Sequence, residues 1–120
     1  MTFDVQSWKD DYETLFTYPC CLHSPLFHPD QVRTVLAWAH SDVGSWKSGP
    51  KQGTDSESIS VLRLDNGKYA ALEECEDYTG HGCACSSATY LADTLPELLA
   101  KIPERDMRDA IAAQIGGSDV

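Results

Sequence analysis

The residues best suited to chemistry stand between Glu73 and Cys85, in the run E-E-C-E-D-Y-T-G-H-G-C-A-C. Cys75, His81, Cys83 and Cys85 are all donors of the kind zinc accepts. Gly80 and Gly82 would let the backbone close tightly around an ion. The spacing is not that of a zinc finger, because C-x-C crowds two thiolates and no C-x-x-C occurs. Cys20, Cys21 or His23 could supply a missing ligand. A cysteine near His81 also suggests a nucleophile with its base. Neighbours in sequence rarely point at one another, however. Glu73, Glu74, Glu76 and Asp77 would raise a thiol pKa and so oppose its activation. No catalytic residue is assigned, and the chain is read as a non-enzyme.

Recognition is the third chemistry open to this segment. Glu73, Glu74, Glu76, Asp77, Tyr78 and His81 would form a contact surface, the acids selecting a basic partner and the aromatic ring supplying burial. A plainer reading stands beside all three. There Asp77 and Thr79 cap a turn, Tyr78 packs inward and the cysteines fill small spaces.

A hairpin must position this segment. Ile59–Asp65 has strand composition, and Asn66-Gly67 is a strong short hairpin signal. Lys68–Glu74 returns. A two-residue type I′ loop predicts Leu64 opposite Tyr69, Leu62 opposite Ala71 and Val61 opposite Leu72. Both faces of that hairpin are apolar, so helices cover both or one is kept for a partner. Cys83–Leu91 is predicted as a third antiparallel strand.

Helices surround the hairpin. Val5, Trp8, Tyr12, Leu15 and Phe16 make one helical stripe over residues 3–18. Three prolines between Pro19 and Pro29 interrupt regular structure. Cys20 and Cys21 lie there and are expected to remain reduced thiols, since a bond between neighbours closes a strained ring. Residues 30–43 read as a second helix, with Val32, Val35, Leu36, Ala39 and Val43 at helical offsets. His40 near its end is assigned no chemistry. Residues 44–58, rich in Gly, Ser and Lys, read as a mobile loop that Trp46 pins to the core. Thr94 and Glu97 form a capping box with Pro96 in the first turn. A last helix starts at Pro103 and stops at Gly116-Gly117. The fold class expected is α+β over one domain, 1–120: a three-stranded antiparallel sheet packed with N-terminal and C-terminal helices. Leu15, Val35, Leu36, Val61, Leu72 and Ile111 are its expected core.

The charge narrows the function classes. Nine basic residues against nineteen acidic ones leave a formal net charge of −10. That disfavours direct contact with nucleic acid or an anionic membrane and favours a basic partner. No apolar run approaches the length of a membrane span, and the first residues lack the pattern of a signal peptide. A cytoplasmic protein is expected.

The segment D-Y-T-G-H-G-C, after a strand opening N-G-K-Y and before T-L-P-E-L, resembles a group of small uncharacterised proteins of actinobacterial phages and their hosts. These carry a C-D-Y-T-G-W-x-C signature. Asp77, Tyr78, Thr79, Gly80 and Cys83 match it, His81 replaces its tryptophan, and its first cysteine is displaced to Cys75. The resemblance spans roughly Asn66–Leu99 and implies a phage or mobile-element origin. The function then expected is a non-enzymatic binder that inhibits or modulates a host or defence protein. A zinc-stabilised domain and a nucleic-acid mimic are the alternatives.

Overall fold

The computed structural model describes residues 3–17, 24–41, 46–50, 57–77 and 84–118. Five antiparallel strands form one sheet in the order β2-β1-β3-β4-β5. They are β1 (Val32–Ser41), β2 (Trp46–Ser48), β3 (Glu57–Leu64), β4 (Tyr69–Asp77) and β5 (Ala84–Ala92). Helix α1 (Val5–Thr17) covers one face, and α2 (Leu95–Lys101) and α3 (Arg105–Ser118) cover the other. The protein is therefore α+β with helices at both ends, and the sheet has two more strands than the sequence predicts. No helix among the described residues is long and apolar enough to cross a membrane.

The helix expected over 30–43 does not form. Pro29 does start a helical turn, but it is one 3-10 turn, Pro29–Gln31, with His28 as its N-cap. The chain then becomes β1. Its register against β3 shifts between Val32 and Thr34 and again between Val35 and Ala37. Each shift behaves as a β-bulge, inserting one residue and advancing the apolar face by three positions instead of two. Val32, Val35 and Trp38 consequently all face α1. A strand with two bulges thus repeats every three residues, which imitates the offset of a helix. Val32, Thr34 and Val35 are β-branched, and that preference agrees with the strand.

The hairpin at Asn66-Gly67 forms, but with a three-residue loop. The Gly67 N–H donates to the Leu64 carbonyl at 3.1 Å, and the Leu64 N–H donates to the Lys68 carbonyl at 2.9 Å. Only Gly67 of the two takes positive φ, at 84°. This is a type I turn closed by a glycine bulge. Asn66 Oδ1 accepts from the Lys68 N–H at 3.0 Å, which holds the asparagine in the turn without a left-handed backbone. The longer loop moves the register by one, so Leu62 faces Ala70 and Val61 faces Ala71. A slip of one residue exchanges the two faces of a strand. Leu62, Leu64, Ala70 and Leu72 therefore share the α1 face, and Ile59, Val61 and Ala71 share the other.

Two separate cores result. Under α1, Trp8, Tyr12, Phe27 and Trp38 make an aromatic layer. Trp8 lies 5.2 Å from Tyr12 and 6.3 Å from Phe27, and Tyr12 lies 5.7 Å from Trp38, between ring centroids. Under α2 and α3 the core is aliphatic: Ile59, Val61, Leu98, Ile102, Met107 and Ile111. Val35, Val61, Leu72 and Ile111 are buried as expected, while Leu15 and Leu36 are partly buried at the core margin.

The 44–58 segment is not a continuous loop. Trp46 opens β2 opposite Ser41 and packs against the aliphatic core, pinning the segment. Beyond the end of β2, the Trp38 carbonyl accepts from Gly49 N–H at 2.7 Å. Gln114 of α3 completes this edge: its Oε1 accepts from the Trp38 N–H and its Nε2 donates to the Trp38 carbonyl, both at 2.9 Å. At the other end, Thr94 caps α2, accepting from the Glu97 N–H at 3.3 Å. Helix α3 runs through Gly116 and Gly117 to Ser118, past its expected stop.

Candidate functional site

Strand alternation divides the acidic run. Residues 73–77 continue β4 and residues 84 and 85 open β5, so the connection is shorter than the predicted Glu73–Cys85 loop. Glu73 and Glu74 then point to opposite faces. Tyr78 and His81 lie outside the described residues, as do Cys83, Cys20, Cys21 and His23. Glu76 and Asp77 are the last positions of β4, opposite Cys85 and Ala84.

Glu74 enters the α1 side. It is 8% exposed and stands in a row across four strands, His40–Ser58–Glu74–Ser87. Ser58 Oγ approaches the Glu74 carboxylate at 3.5 Å and bonds the Tyr12 hydroxyl at 2.8 Å. Trp38 Nε1 donates to the same hydroxyl at 3.0 Å. One turn earlier in α1, Trp8 Nε1 donates to Ser60 Oγ at 2.9 Å. Histidine, serine and a carboxylate in one row are the residue types of a hydrolytic triad. Their arrangement does not serve one. The serine lies between the other two, it contacts the acid directly, and it is wholly buried under Tyr12. A triad needs the base between the nucleophile and the acid, and an accessible nucleophile. The row instead supplies a partner, Ser58, for the Tyr12 hydroxyl that accepts from Trp38, while Trp8 is served by Ser60 outside the row.

Glu73 enters the α2–α3 side and remains partly exposed. Tyr90 of β5 donates its hydroxyl to Glu73 at 2.7 Å. Burial, then the bond to Glu73 and its charge, push the Tyr90 phenol well above its usual range. Glu104, between α2 and α3, also has a raised pKa. Its partial burial contributes most, followed by the charges of Glu57, Asp106 and Glu73. Carboxylates from three parts of the chain therefore act on Glu104 at this end of the sheet. Ser41 stands across from Glu57 in register, and its buried hydroxyl has no hydrogen-bond partner among the described residues.

No protein-family model, curated protein or solved structure matches this chain.

The metal reading gains no geometry here. Among the described residues no group of three or more His, Cys, Asp and Glu side chains is placed to hold an ion. Cys75 stands opposite Ser86 and Cys85 opposite Glu76, so the two cysteines occupy rows of opposite parity in the ladder. A groove of about 250 Å³ lies elsewhere, between α1 and the Pro29 turn. Phe16 and Pro29 line it with Lys9, Glu13, His28 and Asp30. Its charged residues carry both signs, so it selects neither. Sequence reasoning missed Glu57, Tyr90, Glu104 and Asp106 as companions of Glu73. Only the order of strands brings them together, and no motif announces it.

Proposed function

We propose that this protein is a small non-enzymatic binding protein whose partner presents a basic surface. The observation that carries the reading is that Glu57 and Glu73 stand on neighbouring strands on the α2–α3 face, with Glu104 just before α3 and Asp106 in its first turn; after burial, the charges of the other three push the Glu104 carboxyl up. Like charges held together are unfavourable for the isolated fold and become favourable against a cationic surface. The net charge of −10 extends the same field over the molecule and speeds encounter with such a partner. The resemblance to small phage proteins supports a host or defence protein as that partner, inhibited or modulated by the contact.

Affinity capture from a bacterial lysate tests this. The wild-type chain is expected to retain one stoichiometric partner, less of it at high salt. A folded Glu73→Lys/Glu104→Lys/Asp106→Lys chain is expected to retain little. Equal capture by both chains, or no stoichiometric partner for the wild type, overturns the reading.

A further inference from the structure

The two edges of the sheet are finished differently. At the β1–β2 edge the last strand has only three residues, and beside it the Gln114 amide takes both backbone groups of Trp38. The β5 edge is nine residues long, A-C-S-S-A-T-Y-L-A, and pairs with β4 at every position without a shift. It carries no charge, proline or glycine, the usual devices against edge pairing.

The register shows which β5 groups point outward. Leu64 and Lys68 bond each other, so by alternation Ala70 and Leu72 bond β3, while Tyr69, Ala71 and Glu73 bond β5. Their partners Ala92, Tyr90 and Ala88 face β4, which leaves Leu91, Thr89, Ser87 and Cys85 facing out. The Leu91 carbonyl accordingly accepts from Lys101 Nζ, at 2.6 Å. Among the described residues nothing else bonds the outward backbone of Ser87 and Thr89.

Behind this edge lies acid. Ala88 is opposite Glu73, which is partly exposed on the α2–α3 face, where Glu57, Glu104 and Asp106 also stand. Every β5 position from Ala84 to Ala88 is small. A strand added outside β5 would lie two strand spacings, about 10 Å, from β4. Long basic side chains on it could lie across the small residues towards the carboxylates.

We propose that the outer edge of β5, centred on Ser87, is the docking element for an extended strand of the partner that carries lysine or arginine. This rests on the reading of the protein as a binder of basic surfaces and names the element that does it. Main-chain hydrogen bonds to Ser87 and Thr89 hold the strand, and the acidic backing selects its charge. A second copy of this chain is the poorer occupant, because it would bring together two bodies each of charge −10.

The test uses the purified chain and a nine-residue peptide of alternating lysine and valine. Amide exchange at Ser87 and Thr89 is expected to slow by about tenfold or more at saturating peptide, while β3 amides stay unchanged. Ser87→Pro removes an outward N–H that β4 does not use, so the fold should persist and peptide affinity should fall by about tenfold or more. An alternating glutamate–valine peptide should not bind. Unchanged exchange at Ser87 and Thr89 overturns the proposal even if the proline chain fails to fold. So does protection of those amides by self-association without peptide. The two readings fail separately. Capture of a partner undiminished by Ser87→Pro sinks the edge alone, and peptide seated on β5 without any captured partner sinks the partner reading alone.

Discussion

Glu73 and Glu74 are neighbours in sequence and opposites in place. Glu74 lies in the aromatic core under α1, beside Ser58 and the Tyr12 hydroxyl, at 8% exposure. Glu73 lies on the α2–α3 face, bonded by Tyr90 and within the field of other carboxylates. The same side chain is thus an internal hydrogen-bond acceptor at one position and part of a charged surface at the next. What separates them is the two-residue period of the strand and the helix laid over each face. The α1 face can take polar groups because its buried tyrosine and indoles need partners, which Ser58, Ser60 and the Tyr12 hydroxyl supply. The opposite face has an aliphatic core, and its acids collect at the margin where water reaches them.

Charge reversal should separate the two positions most. Glu74→Lys places an ammonium among buried indoles and is expected to cost about 3 kcal/mol or more in urea unfolding. Glu73→Lys is expected to stay within about 1 kcal/mol. Equal costs would mean that Glu74 is not held inside.

The tyrosines give a smaller contrast. Tyr12→Phe leaves Trp38 Nε1 without its acceptor and Ser58 Oγ without that bond, so a loss of about 1–3 kcal/mol is expected. Tyr90→Phe removes one partly exposed bond to Glu73 and should cost less than about 1 kcal/mol. The reverse order would place the tighter network on the wrong face.

The smallest effect is in the pH profile. The raised pKa of Glu104 means that the folded chain holds its proton longer than the unfolded chain. Its contribution is intact below the ordinary carboxylate pKa and is lost as pH rises through the raised value. Glu104→Gln should therefore flatten the fall in stability over that window, read from urea midpoints across a pH series. An unchanged slope would show that the crowding of acids at this margin is not felt by the fold.

Some of this was legible in the chain. The α1 stripe needs only the helical period, and Trp8 and Tyr12 are buried where it points. The place of the β3–β4 hairpin needs only Asn66-Gly67, and the start of α2 needs only Thr94 and Glu97. These are local rules, enforced by residues within a few positions of one another. The hairpin's register was not legible. Asn-Gly suits a type I′ turn and also the type I turn with a glycine bulge that forms, and one residue of difference assigns every side chain of β4 to a face.

Strand β1 shows the same limit. Its two irregularities space Val32, Val35 and Trp38 by threes, and only pairing with β3 reveals them as strand. Local sequence determined which segments turn, cap and carry acid. Tertiary structure decided which acid is buried, because burial depends on strand register and on which helix lies overhead, and neither is set by neighbours in the chain.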